Sequence, residues 1–389
     1  MHTILPFAFP ESIVRLISTW LLYSLGAGVL LGLLTSMVML ATRGSAARLR
    51  YNLLLGSLAL FAGMMLAILA VGIYQLPDTP VAAGGVATAT GAASAGVVTA
   101  HPAPLTFMEL LMRQVEQYSF PIVTIWMLFA GLRSIRLVAG LCTIRRLKTR
   151  QNEPAPAAWQ QKLRLLSAQL GVSVKSTLLY SHAVTVPMVI GHFKPVILLP
   201  FAFVSSLPAA QVEAILLHEL AHIARRDYLV NLLVSIMETI FFFNPALIWT
   251  ASLLRKEREN CCDDIALAQL DNPRDYIEAL VNCQQLQQEA PLFATALFEK
   301  PGQLLGRVKR MVNHNNKRSL NNMEKSILSI SLVTAGMLAL AFTAPGDPVN
   351  NATVNLTKCP ENAGVFQPDY WNRQFSATDT VPAPPPPPA

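Results

Sequence analysis

Residues 53–74 run for 22 positions without a charge. Coiled as a helix at about 1.5 Å per residue, they would reach about 33 Å, the thickness of a bilayer's hydrocarbon core. Two further stretches have the same character. Residues 17–41 form one, and residues 327–344, about 27 Å as a helix, form the other. A fourth, 118–138, carries Arg133 and Arg136 in its final turns, where long cationic side chains can reach up to headgroups. Composition agrees with these spans. The 389 residues are 52% hydrophobic and 14% charged, against about 25% charged in soluble domains. A soluble cytosolic globule is excluded, and so is disorder throughout, because there is ample apolar surface to bury. The first residues lack a basic segment and the apolar run is too long, so no cleavable signal peptide is expected.

The basic residues set an expected orientation. Arg43, Arg48 and Arg50 crowd the loop after the first span, while residues 75–106 contain no Lys or Arg. Arg133 and Arg136 close the span at 118–138, and Arg145, Arg146, Lys148 and Arg150 follow it. The positive-inside rule then puts both termini outside the bacterial inner membrane and residues from about 140 to 325 in the cytoplasm. The net charge of +7 is thereby juxtamembrane, and no direct nucleic-acid partner is expected. The lipid bilayer is the first partner implied, and a homo-oligomer is compatible with this layout. Five cysteines, at 142, 261, 262, 283 and 359, make neither a disulfide framework nor a CxxC pair. Residues 81–100 are a small-residue loop, and the tail from 345 ends in five consecutive prolines, 384–388, a polyproline-type segment.

The chemistry lies in His218-Glu219-Leu220-Ala221-His222. A helix starting near Ser206–Pro208 carries it, and positions i and i+4 of a helix share one face, so both imidazoles can meet one metal ion. Glu219 is placed to reach a water on that metal as a general base. The ordinary alternative is a helix with two surface histidines. Ala214, Ile215, Leu216, Leu217 and Leu220 oppose it by making the helix nearly all apolar, and polar groups buried there need partners. A catalytic zinc site needs a third protein ligand, and the acids of RKERENCCDD, 255–264, are the candidates.

A helix with HExxH followed by one with ExxxD resembles the gluzincin metallopeptidases, whose first acid completes the metal site. Glu259 and Asp263 match that spacing; Glu257 has Cys261 four residues on. The wider resemblance is to BlaR/MecR-type membrane metallopeptidases. It rests on VPMVIGHFKPVILLP (186–200), HELAHIARRD (218–227), FFFNPALIW (241–249) and ERENCCDD (257–264). It implies one zinc ion held by His218, His222 and Glu259, with Glu219 as catalytic base and Asp263 orienting a ligating histidine from behind. Asp227 closes HExxHxxxxD with an expected structural role, and His182 and His192 receive none. The GxxKPVIxLP stretch is expected to supply the strand beside the cleft that pairs with substrate backbone.

The fold this implies is a membrane α-helical chain of four transmembrane helices with an inserted cytoplasmic α+β zincin-like domain. Its divisions are a helix pair in 1–75, an outer loop in 76–117, a third span in 118–140, the peptidase in 141–326, a fourth span in 327–344 and an outer Pro-rich tail in 345–389. Between the halves of the metal site, the apolar residues 228–254, broken at Asn244-Pro245, are too short to span twice. A helical hairpin is expected, lying on the domain or at the inner membrane face, or else wholly internal. The resemblance further implies a signal-transducing endopeptidase that cleaves itself or promotes inactivation of a BlaI/MecI-type winged-helix repressor. A quality-control protease and a non-catalytic zinc-bearing scaffold are the alternatives. The tail carries no SxxK motif, so a beta-lactam receptor role is not expected.

Overall fold

The computed structural model describes residues 10–76, 113–149, 152–191, 194–288 and 301–313, with Ser329 and Val333 in helix beyond them. Three helices in it are long and apolar enough to cross a membrane: α1 (Glu11–Ala41), α2 (Ala47–Tyr74) and α3 (Ser119–Thr149). The third is longer than expected from 118–140. The arginines after position 132 do not end it, because Arg is a good helix former, and Arg133 lies over the Phe242 ring at 5.3 Å. The fourth expected span, 327–344, falls outside the described residues apart from Ser329 and Val333, as do residues 77–112 of the expected outer loop and the tail.

An α+β region follows. Strands β1 (Asn152–Pro154), β2 (Thr177–Ser181), β3 (Met188–Ile190) and β4 (Val196–Pro200) form one sheet in the order β1-β2-β4-β3. β2 and β4 are parallel, and the two flanking strands run antiparallel to them. Helix α4 (Ala157–Gln169) links the first two strands, and the short α5 (Phe201–Ser206) leads into α6 (Ala209–Ala224). Pro208 precedes α6 as expected from the sequence. Leu178, Ile197 and Leu199 of the sheet pack with Ile215, Leu216 and Leu220 of α6 in one apolar core.

One expectation about the sheet is corrected. The GxxKPVIxLP stretch, expected to supply the strand beside the cleft, forms β4 with its second half, and β4 is buried along its whole length and bonded to neighbours on both sides. The edge strand beside the cleft is β3, from the Met188-Val189-Ile190 that precedes it; the other edge is β1.

Residues 228–254 do form a hairpin: α7 (Asp227–Ile240) turns at Phe241–Asn244 into α8 (Pro245–Leu267). It is packed among the candidate spans rather than on the sheet. Asn244 sits at the tip, where its Oδ1 accepts from Leu247 N (3.2 Å) and caps α8. Its Nδ2 donates to Ser24 O (2.8 Å), midway along α1. Gly28, one turn on, leaves the space, since a Cβ there would collide with the Asn244 amide. Phe241 packs tilted against Trp20 and edge-to-face against Phe61, while Trp126 Nε1 donates to Ile240 O (2.9 Å). Lower down, the hydroxyls of Thr35 and Thr250 lie 2.9 Å apart. The opposite face of α7, with Leu229, Leu233 and Ile236, is exposed and apolar, as contact with lipid requires.

Asn244→Ala should therefore remove a cap and strand a buried tip. The expected loss is about 1–3 kcal/mol, read as a lowered denaturation midpoint of the detergent-solubilised chain, with Asn244→Asp recovering the capping share.

Two helices complete the described chain, α9 (Pro273–Gln288) and α10 (Pro301–Asn313).

Candidate active site

The all-apolar face of α6 buries His218 and Glu219, at 7% and 8% exposed, and leaves His222 half-buried one turn later. Helix α6 then stops sharply. Arg226 takes a left-handed φ of 57°, a conformation that turns the chain so that Asp227 heads α7 facing back toward α6. Asp227 Oδ2 lies 2.8 Å from His222 Nδ1. On the other side, α8 delivers Glu259, whose Oε1 is held by Arg258 (Nη2 at 2.8 Å) and whose Oε2 lies 3.6 Å from His218 Nε2 and 3.8 Å from His222 Nε2.

The imidazoles' outward nitrogens are committed, which decides what the inward ones can do. His222 Nδ1 donates to the Asp227 carboxylate. His218 Nδ1 is 2.8 Å from the Tyr276 hydroxyl, which itself donates to Asp263 Oδ1 at 2.7 Å. The tyrosine proton is thus spent, and its oxygen accepts from His218. With both rings neutral, as metal binding requires, the two Nε2 atoms present lone pairs, 3.2 Å apart, beside a carboxylate oxygen. Three acceptors in that arrangement repel unless a cation sits among them. Bonds of about 2.0–2.2 Å at tetrahedral angles place ligand atoms about 3.3–3.5 Å apart, so the donor set fits a zinc-sized ion. His218, His222 and Glu259 indeed form one group with all ligand atoms within 4.8 Å.

The charges behind these ligands are matched. Burial alone would raise the Glu259 carboxyl, but His218, His222 and Arg258 beside it outweigh burial and hold Glu259 well below the usual carboxylate range, the two imidazoles through protons whose place a metal ion would take. Burial would likewise raise Asp263. The Arg307 guanidinium overrides it through bonds of 3.0 Å (Nε) and 2.5 Å (Nη2), and the carboxyl is lowered. Tyr276, fully buried and beside Asp263, is pushed well above the ordinary phenol value and stays protonated. Cys262 Sγ, 3.3 Å from His222 Nδ1, is raised by burial to about 11 and stays a thiol. It forms a second ligand-type group with His222 and Asp227, but this group uses the nitrogen already committed to Asp227.

Asp263 and Asp227 fall differently from the sequence reading, while Glu257 and His182 stay apart from the ligand group as expected. Asp263, expected to orient a histidine, lies 3.5 Å from His218 Nδ1, and the nearer partner is Tyr276. Neither Tyr276 nor Arg307 was signalled by any local pattern, because they arrive from α9 and α10. Asp227, expected to be structural, touches His222 directly. Glu257 points away from the site to Arg50 of α2 (3.1 Å). His182 stacks on Phe201 away from the metal group, and His192 lies outside the described residues. Outer partners of metal-bound histidines are commonly worth about 10–100-fold in metal affinity. Tyr276→Phe should therefore weaken metal binding by about that factor, measured by competition between the chain and a chelator for added zinc.

A cleft crosses the site. On one side of Glu219 a cavity of about 200 Å³ is walled by Ile215, Leu280, Leu304 and Arg307. On the other a cavity of about 320 Å³ runs along Met188 and Val189 of β3 toward Arg226 and Asn231. His218 and Glu219 border both. An extended peptide laid along β3 would thus pass over Glu219 and the ligand group.

The sequence pattern of the BlaR1 peptidase M56 family matches residues 33–311, from the first span to the end of α10. The chain belongs to the BlaR1 peptidase M56 family. Among curated relatives, it is 26% identical over 179 residues to the methicillin resistance mecR1 proteins of Staphylococcus aureus and Staphylococcus epidermidis. That alignment covers 45% of this chain and 30% of theirs. It is 29% identical over 157 residues to the regulatory protein BlaR1 of Bacillus licheniformis, covering 39% of this chain and 26% of that one. The chain thus spans less than a third of the length of the relatives it matches. Membership of the M56 family makes a metallopeptidase the activity to test, and the three apolar helices suit a membrane protein of that family.

Proposed function

We propose that the chain is a zinc endopeptidase of the bacterial inner membrane that transduces a signal by proteolysis. The observation that carries this reading is the inward convergence of two imidazole lone pairs and the Glu259 carboxylate beside Glu219, in a cleft bordered by an edge strand. His218, His222 and Glu259 hold the zinc ion. Asp227 and the Tyr276–Asp263 pair fix the two rings. A bound zinc ion supplies Lewis acidity toward a peptide carbonyl and an attacking water. Glu219 takes the proton from that water and returns it to the leaving amine, and β3 holds the substrate backbone as an added strand.

In this reading the fold is zincin-like, with four spans and the peptidase facing the cytoplasm. The substrate is the chain itself, a winged-helix repressor of the BlaI/MecI type, or both. The reading rests on the family and on relatives named as regulatory and resistance proteins. It is tested by comparing newly formed protein N-termini in cells carrying the native chain or Glu219→Ala. Glu219-dependent termini in one repressor or in this chain support it. Termini scattered over many membrane proteins would point to quality control, and none under any envelope stress would leave the zinc site structural.

A further inference from the structure

Two consecutive residues at the start of α2 reach both helices that carry the metal-site residues. Arg50 Nε lies 3.1 Å from Glu257 Oε2, with the side chains 2% and 1% exposed. Its Nη1 donates to Ser45 O (2.6 Å) and Thr42 O (3.3 Å) in the turn between α1 and α2. Glu257 also accepts from Asn260 Nδ2 at 3.1 Å. Tyr51 turns its ring to the Arg225 guanidinium, 4.3 Å from the centroid. Arg225 follows directly on the last turn of α6, and its Nε is 3.4 Å from Asp227 Oδ1. The other oxygen of that same Asp227 holds His222.

Positions 257 and 259 are about 200° apart around a helix. Glu257 thus faces α2 while Glu259 faces α6, and α8 is clamped between them. A buried ion pair is costly to desolvate and more costly to break, because separation leaves both charges uncompensated. α8 therefore cannot slide or roll against α2 without a large penalty. The ring-on-guanidinium contact is attractive through the ring's negative face and ties the end of α6 to the same part of α2.

We propose that Arg50 and Tyr51 are positioning residues of the peptidase: the first turn of α2 sets the separation of α6 and α8, and with it the fit of His222 and Glu259 to one metal ion. The inference rests on the metallopeptidase reading and extends it, since any displacement of α2 in the bilayer would then be felt at the zinc ligands.

The test uses the full chain in detergent micelles, with zinc affinity measured by chelator competition and the melting midpoint of the metal-free chain measured alongside. The variants are Tyr51→Leu, Tyr51→Phe and the paired Arg50→Gln with Glu257→Gln, which removes both charges together. Tyr51→Leu and the paired variant should each weaken zinc binding about tenfold or more with the metal-free midpoint little changed. Tyr51→Phe keeps the ring face and should bind zinc as the native chain does. Native zinc affinity in both Tyr51→Leu and the paired variant would overturn the inference. If Tyr51→Leu does not fold, the paired variant alone decides. A native chain that binds no zinc would overturn the metallopeptidase reading itself, a result seen before any variant is compared.

Discussion

Glu219→Gln should lower peptide-bond hydrolysis by the purified chain about 10²–10⁴-fold, the usual share of a positioned acid–base group, while leaving its zinc content intact. Glu219 is 8% exposed and borders both halves of the cleft. It is not among the three ligand residues. Glutamine keeps its size and polarity but cannot take up a proton, so folding and metal retention are preserved and only the proton transfer is lost. The measurement is turnover of a labelled protein substrate at saturating zinc, with metal stoichiometry determined on the same sample. Native turnover in a zinc-loaded Glu219→Gln chain would falsify the assignment of the base. Loss of zinc together with turnover would instead make Glu219 part of the metal-holding group.

Arg307→Leu should cost about 3–5 kcal/mol of stability, the scale for stripping one partner from a buried pair. Asp263 is fully buried and takes two bonds from Arg307. Without them its carboxylate keeps only the Tyr276 hydroxyl at 2.7 Å and the nearby His218. The sign of the pH dependence should also change. In the native chain the Asp263 carboxyl is lowered, so its contribution is fully present above the unfolded value of about 4 and is lost as pH falls through the lower folded one. In the variant, burial without a cation raises the folded value, and the penalty is greatest at neutral pH and shrinks on acidification. Denaturation midpoints of both chains across that range measure it. A second change, Asp263→Asn, should recover much of the loss by removing the orphaned charge, although it also weakens the acceptor behind Tyr276. A deficit that is flat with pH would mean the pair is not the source of the cost.

The parts of the site that were legible in the sequence are those a single helix encodes. His218, Glu219 and His222 stand at spacings that only a helix makes into one face, and Glu259 with Asp263 repeats the logic on the second helix. The first two spans were legible because a long run without charge has few other uses. What was not legible depends on distant segments meeting. Tyr276 looks like one more apolar-face position in an amphipathic stretch, and Arg307 like one of several cations in a basic run. Arg50 read as a marker of membrane sidedness, whereas its guanidinium is buried against Glu257. The edge strand was misplaced for a related reason. KPVILLP has the stronger β character, but continuous burial marks a strand enclosed on both sides, and the shorter Met188–Ile190 was left at the rim.

The docking of the α7–α8 hairpin among α1, α2 and α3 bears on how this molecule can be cut and recombined. Leu247, Trp249, Leu253 and Leu254 are each under 5% exposed because Leu54, Leu58, Phe61 and their neighbours cover them. A fragment beginning after α3 would carry the whole ligand set yet bare that seam to water, and it should aggregate where the intact chain does not. Chimeras between relatives obey the same constraint. An exchange of the first two helices alone has to keep the niche at Gly28 for Asn244 and an arginine for Glu257. The unit of transplantation is the helix pair together with the hairpin it grips.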